Sequence, residues 1–480
     1  MKKTVIGRLA CLLSAAALLA ACCGNKDTGS TVSVIKTDVP ARPDGQENVI
    51  GLRTDPIDTV RIGFVGLGAR GAFAVYRYTN VPWTKVVALC DVLPEKVDNS
   101  TNFLVEQGFE APAGYTGLEG YKELCERDDI DLVYICTDWA HHTPIALYAM
   151  EHGKHVVIEV PAATSLEECW ALVNMAEKTR LHCMMLENCC YDFFELTTLE
   201  MARQGVFGEI LHAEGSYLHN LSDYWDDYWE NWRLDFNYRH RGDVYPTHGL
   251  GPVAQALNIH RGDRFETLVA MDTRSVNGQA SFNAKKERSD YFEGEEAEAF
   301  RNGDLTCTLI RTVNGKSLLI EHDVLTPRPY DRMYQLVGTK GYAAKYPVEM
   351  YSLRQDGLDS LGIDYHIDNQ HAPLPEEVVA KLHGMFPSPI LDDELEEKAK
   401  KVGGHGGMDF LMDYRLIYCL HYGLPLDMDV YDLAEWCCLG PLGEISMDNG
   451  CAPVEVPDFT RGAWKDADGF KYAFADGSMK

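Results

Sequence analysis

Short apolar runs punctuate the first half of the chain, with amphipathic stretches between them. Residues 60–65, 86–90, 132–136, 155–159 and 182–186 are each five or six residues long and rich in Val, Ile, Leu, Met and Cys. Runs of that length predict buried strands, and the longer segments between them have helical spacing. One such segment opens with Ser165 and has Glu168 three residues on, a capping-box start. Alternating strands and helices predict a doubly wound parallel sheet. After residue 205 the pattern changes. Residues 209–217 alternate, and residues 305–312 and 317–322 flank Asn314-Gly315, a strong hairpin signal. The fold class expected is α/β: a doubly wound parallel sheet, then an α+β domain with a mostly antiparallel sheet. A helix should begin at Met408 behind Gly404, Gly406 and Gly407, and return to brace the site.

The amino terminus follows a different pattern. Lys2, Lys3 and Arg8 precede an apolar stretch, residues 12–21, that is too short for a permanent membrane span. It ends in Leu19-Ala20-Ala21-Cys22, which resembles a bacterial lipobox, with Cys22 the acylated residue. The expected organisation is a lipoprotein signal peptide over 1–21, a polar tether over 22–58, a nucleotide-binding domain over 59–205 and a substrate-binding domain over 206–480. Such a chain is exported and held on the cell envelope, at the outer membrane, by its lipid.

Composition narrows the partners. Hydrophobic residues make up 46% of the 480 positions, too many for a largely disordered chain. The formal charge is −29, and losing residues 1–21 with their three cations takes it to −32. A nucleic acid would be repelled, so a neutral or small substrate is expected. Among the 15 cysteines Cys189-Cys190 and Cys437-Cys438 are adjacent in the body of the chain, and there is no Cys-x-x-Cys. Buried thiols are expected rather than a disulfide framework, and no metal site.

The first strand runs into Gly66-Leu67-Gly68-Ala69-Arg70-Gly71. In this arrangement Gly66 permits the turn, Gly68 lets a pyrophosphate approach the backbone, and Gly71 lets the next helix pack closely. Asp91 ends the second run, 20 residues after Gly71, where a carboxylate accepts hydrogen bonds from the adenosine ribose. This pattern predicts NAD rather than its 2′-phosphorylated relative. Ligands of such sheets lie outside the carboxyl ends of the strands, which points to residues 137–142, 159–161 and 187–188.

The glycine motif, His142-Thr143-Pro144 and a Glu-x-Pro at residues 159–161 together resemble the glucose-fructose oxidoreductase, inositol dehydrogenase and rhizopine catabolism family over residues 59–345. That resemblance implies a Rossmann domain joined to an open, mostly antiparallel sheet. Its usual members carry Glu-Lys-Pro, and here Val160 stands in place of the lysine that assists hydride transfer. Trp139-x-x-His142, Glu159-Val160-Pro161, Tyr245-Pro246-Thr247-His248-Gly249 and Gly404-His405-Gly406-Gly407-Met408-Asp409 more closely resemble glycoside hydrolase family 109. The implied activity is that of an NAD-dependent α-N-acetylgalactosaminidase. Implied cofactor contacts are Ala69, Arg70, Asp91, Trp139, Ala140, His141, His142, Glu159, Val160, Asn188 and Tyr245, besides the three motif glycines. Implied substrate contacts are Tyr217, Arg233, Tyr245, Pro246, Thr247, His248 and Tyr330.

The chemistry expected is oxidation at C3 of the sugar, elimination across C1 and C2, addition of water and re-reduction. His248 is the expected acid/base and Tyr245 its companion, three residues away; Arg233 would hold the ring or the N-acyl oxygen. The aromatic segment 217–238 is either a sugar platform or a lid packed on the sheet. Two other functions stay open, a sugar dehydrogenase and a non-catalytic sugar-binding lipoprotein. The partner expected is a glycoside or glycan, and a homo-oligomer is compatible with the sequence.

Overall fold

Six strands, β1 (Val60–Val65), β2 (Thr84–Asp91), β3 (Ala113–Thr116), β4 (Leu132–Ile135), β5 (His155–Ile158) and β6 (Cys183–Met185), form a parallel sheet in the order β3-β2-β1-β4-β5-β6. Every residue of β4 and β5 is buried, as helices on both faces require. The order reverses between β1 and β4, so the strand ends diverge there and open a crevice. The computed structural model describes residues 33–224 and 228–480. The signal segment, Cys22 and the first part of the expected tether lie outside the described residues, as do residues 225–227.

Three helices matter for the site. Helix α1 (Ala69–Tyr78) follows the glycine turn, α2 (Trp139–Glu151) follows β4, and α3 (Leu166–Thr179) follows β5. The Ser165 hydroxyl caps α3 by accepting the Glu168 N–H at 3.1 Å. The reciprocal bond of a capping box falls one residue early: Glu168 accepts from the N–H and hydroxyl of Thr164 at 2.7 and 2.9 Å.

The second sheet has eight strands. These are β7 (Ile210–Leu218), β8 (Phe265–Asp272), β9 (Thr306–Thr312), β10 (Ser317–Asp323), β11 (Gln335–Gly338), β12 (Gly341–Ala344), β13 (Met350–Leu353) and β14 (Val454–Glu455). They run in the order β13-β12-β11-β7-β10-β9-β8-β14. Only β7 and β10 pair in parallel; the other neighbours are antiparallel. The hairpin expected at Asn314-Gly315 joins β9 to β10, with Gly315 at φ +86°.

Two further helices, α4 (Trp232–Arg239) and α5 (Thr247–Ala256), carry site residues over this sheet. Gly215 of β7 and Gly249 of α5 meet backbone to backbone. A Cβ on Gly215 would lie 2.0 Å from the Gly249 carbonyl oxygen, so the helix can approach only with glycine at the crossing. That contact sets the start of α5, with His248, directly over the strand that carries Tyr217.

Late in the chain, α6 (Met408–Tyr422) packs on residues 188–191 and α7 (Val430–Cys437) on α3 and β6. The return expected for the Met408 helix is therefore present. It is fastened by Asp413, which takes the buried Arg77 guanidinium of α1 at 2.7 Å.

The expected tether ends earlier than residue 58. Ile35 donates to Pro453 and accepts from Glu455, both at 2.8 Å, Arg42 pairs with buried Glu177 at 3.0 Å, and Val49 and Leu52 are buried. From Ile35 onward this stretch belongs to the folded body. Its few apolar residues are too widely spaced to give a periodic signal, and their partners lie some 400 positions away in the chain, as Ile35 and Val454 show. All twelve described cysteines are thiols, nine of them buried.

Candidate active site

The turn between β1 and α1 is built by its glycines. Gly66 sits at φ +90°, and a Cβ on Gly71 would lie 1.9 Å from the Gly66 carbonyl oxygen. A Cβ on Gly68, by contrast, would meet nothing within 4 Å, so this residue faces the open mouth of the turn. The first turn of α1 has no side-chain cap and no acidic residue, which leaves its N–H groups to an anion. Asp91 flanks the mouth at the end of β2, its oxygens accepting from the N–H of Leu67 at 2.6 Å and of Leu93 at 2.9 Å. A pyrophosphate and an adenosine ribose fit this cradle.

Arg70, the second residue of α1, reaches Glu159 after β5 and Asp409 of α6, each at 3.0 Å. Asp409 also accepts from Asn188 at 2.5 Å and lies 3.0 Å from His405. Burial pushes the Asp409 carboxyl up, but His405, Arg70 and Arg77 outweigh it and hold the group well below the usual carboxylate range. The glycine turn is thus braced by charges from two strand ends and from a helix more than 300 residues away.

Asn188 adjoins Glu187, which lies just past β6 and is fully buried. Glu187 accepts a hydrogen bond from His248 Nδ1 at 2.7 Å and another from the Cys189 N–H at 3.1 Å. Burial raises the Glu187 carboxyl, and the neighbouring imidazole more than offsets this, so the group rests below its usual range. With Nδ1 bound to Glu187, Nε2 of His248 faces the Tyr245 hydroxyl at 3.3 Å. Burial holds that phenol well above its ordinary value, so Tyr245 keeps its proton. The expected pairing of Tyr245 and His248 is present, with Glu187 as an orienting group behind it.

Arg233 of α4 lies among aromatic rings, 4.9 Å from the Tyr245 centroid, 5.3 Å from Trp139 and 5.6 Å from Tyr228. It is buried, bonds the Tyr228 hydroxyl at 3.2 Å and leaves Nε without a partner; among the described residues no carboxylate pairs with it. A buried guanidinium in that condition suits a carbonyl or anionic group from a ligand. Tyr217 joins the same cluster, 4.8 Å from Tyr245 and 5.2 Å from His248, and the more exposed Tyr330 stands at the rim, 6.4 Å from Tyr217.

The other expected contact residues have these partners within the protein. His142 is buried, with Nδ1 2.8 Å from the Pro161 carbonyl oxygen and Nε2 3.0 Å from that of Thr137, so its ring ties two loops together. His141 pairs with Asp138 at 2.8 Å, and Ala140 is exposed beside it. Val160 and Thr247 are buried, as is Pro246, which caps α5, so the last two support the Tyr245/His248 pair from below. Asn188 is buried and spends its amide on Asp409. Of the aromatic segment, Trp232 and Phe236 pack on Trp139 at 4.9 and 5.0 Å, which is the lid arrangement for those two. The sequence points to Glu187 as lying beyond a strand end and sets Asp409 in a motif, but assigns neither a catalytic or bracing role. Their signals, a carboxylate at a strand end and one closing a glycine-rich motif, are weak without the fold.

Comparison with known proteins agrees with this geometry. Residues 60–187 match the oxidoreductase family with an NAD-binding Rossmann fold, and residues 191–466 match the C-terminal domain of glycosyl hydrolase 109. The chain is 59% identical over 451 residues to glycosyl hydrolase family 109 protein 1 of Bacteroides thetaiotaomicron, covering 94% of this chain and 95% of that one. It is 59% identical over 444 residues to a family 109 protein of Porphyromonas gingivalis, covering 92% and 93%. A levoglucosan dehydrogenase solved with NADH and L-sorbose has the same fold, with a TM-score of 0.62, 17% identity, and coverage of 84% of this chain and all of that one. The parallel sheet is an NAD-binding Rossmann domain, and the chain belongs to glycosyl hydrolase family 109.

Proposed function

We propose that the protein hydrolyses α-N-acetylgalactosaminides by transient oxidation at C3 of the sugar, elimination across C1 and C2, addition of water and re-reduction. The observation that carries this reading is the Tyr245, His248 and Glu187 line beside the Arg233 guanidinium, which pairs with no carboxylate among the described residues. Bound NAD supplies reversible hydride exchange with the sugar carbon. The protein's part is to move protons. The Tyr245 hydroxyl accepts the proton of the sugar O3–H while passing its own to Nε2 of His248, and Glu187 stabilises the imidazolium that results. This relay takes over the task of the lysine that Val160 replaces. Arg233 donates to the N-acyl oxygen and so selects the 2-acylamino sugar.

The test is a chromogenic α-N-acetylgalactosaminide in D2O. Chromophore should appear without net NADH, the freed sugar should carry deuterium at C2, and Gly68→Trp and His248→Ala should abolish both. Release with the C2 proton retained, or at the parent rate in both variants, would overturn the proposal. Net NADH with an oxidised sugar would instead identify a dehydrogenase. The leader and lipobox support export and acylation at Cys22, which labelled palmitate should enter in the parent and not in Cys22→Ser.

A further inference from the structure

A second tyrosine and histidine pair lies beside the first. The Tyr217 hydroxyl is 2.9 Å from Nδ1 of His219, and the rings of Tyr217 and Tyr245 are 4.8 Å apart. The two imidazoles are engaged alike on one side, each binding an oxygen through Nδ1. For His248 that oxygen belongs to Glu187; for His219 it belongs to Tyr217. They differ on the other side. Nε2 of His248 faces Tyr245, whereas Nε2 of His219 makes no hydrogen bond among the described residues. His219 is half-buried and lies edge-on to the exposed ring of Tyr330 at 5.2 Å, so its free nitrogen is on the solvent side of the cluster.

The proposed reaction sets two proton tasks on adjacent sugar atoms, one at O3 and one at C2. A single imidazole cannot hold both protons, so the second task needs a second base within one sugar ring's width of the first. The other titratable groups nearby do not meet this need. Asp243 and His322 each keep an unpartnered polar atom, but both side chains are sealed in the protein, 1% and 2% exposed, with no face open to a sugar.

Resting on the function proposed above, we infer that His219, positioned by Tyr217, is the catalytic base that takes the C2 proton of the oxidised sugar and returns a proton to C2 when water adds. As Nε2 accepts the proton, the C2–H electron pair forms the C1=C2 bond. The C1–O bond breaks on the opposite face, its pair stays on the aglycone oxygen, and that oxygen takes a proton from water and leaves as an alcohol. The hydroxide left by that water bonds C1, and C2 receives a proton from Nε2, which has exchanged with solvent. His219 ends neutral, as it began. Burial, then the charges of Arg233, His248 and His405, hold its imidazole below the ordinary value, which keeps it able to accept a proton.

The experiment uses the NAD-loaded full chain with methyl and nitrophenyl α-N-acetylgalactosaminides in D2O, comparing parent, His219→Ala and His219→Asn. Blocked after oxidation, both variants should accumulate reduced nicotinamide absorbance in step with enzyme concentration. They should also lose C2 deuterium uptake and cleavage by about 100-fold or more. Uptake at the parent rate in both variants would overturn the assignment. So would joint loss of nicotinamide reduction and uptake in both, which would make His219 a structural residue. A parent that takes up no deuterium at C2 would overturn the underlying redox reading and this inference together; loss of uptake confined to the variants is what the assignment requires.

Discussion

His248 Nδ1 and Glu187 Oε1 lie 2.7 Å apart although 61 positions separate them in the chain. The carboxylate is sealed from solvent and the imidazole partly open, so the contact orients the ring from behind and leaves its other nitrogen to the cleft. The arrangement resembles the base and orienting acid of a catalytic triad, with a tyrosine hydroxyl where the nucleophile would stand.

Glu187→Gln keeps the shape and removes the charge that stabilises the imidazolium. The expected outcome is a fall in kcat of about 100-fold or more with KM little changed, measured by steady-state hydrolysis of a nitrophenyl glycoside. A proportional rise in KM instead would place Glu187 in substrate binding.

Gly68 and Gly71 should fail in different ways. Gly68→Trp has open space around its Cβ, so the protein should fold with the melting temperature of the nucleotide-free parent and release no nucleotide on denaturation. In Gly71→Ala the new Cβ meets backbone, and the chain should lose about 1–3 kcal/mol of stability as well as its nucleotide. Thermal denaturation with chromatography of the released nucleotide separates the two.

Arg233→Met retains stem length and removes the donors. KM for the N-acetylated sugar should rise by about 10-fold to 100-fold, the cost of a hydrogen bond to a charged donor. The parent's preference over the corresponding 2-hydroxy sugar should shrink by the same factor. Equal losses on both sugars would assign Arg233 to the aromatic packing alone.

Away from the cleft, His260 is buried with Nδ1 3.0 Å from Glu435 and Nε2 3.4 Å from Asp429. Burial and Arg261 push its imidazole down, but Asp432 and Asp429 win and raise it to about 10. A histidine raised in the folded state stabilises fully below the unfolded value near 6.5 and loses that contribution as pH climbs through the folded value. The melting temperature should therefore fall between about pH 6.5 and 10, and His260→Gln should flatten the fall. A parallel slope in the variant would reject the assignment.

The local features of the chain were legible in its sequence. The run at 60–65, the three glycines and Asp91 lie close enough in sequence for period and spacing to place them, and Tyr245 and His248 are three residues apart at a helix start. Contacts made by folding were not. Arg70 and Asp409 are 339 positions apart, and no pattern within either segment announces the other. His142 sits in a motif yet spends both ring nitrogens on carbonyl oxygens, because a motif position specifies a residue and not its partner. Trp232 and Phe236 could equally have faced a sugar or a neighbour; where Trp139 lies decides it.

The reach of α6 into the glycine turn also orders events during synthesis. Asp409 and Asp413, which clamp Arg70 and Arg77, are among the last tenths of the polypeptide to be made, and Ile35 at the other end waits for residues 453 and 455. A nascent chain therefore has no finished nucleotide seat until translation is nearly over, and a fragment cut at residue 187 would carry the glycine fingerprint without its clamp. Completion of the seat is thus a late event that draws on both ends of the chain.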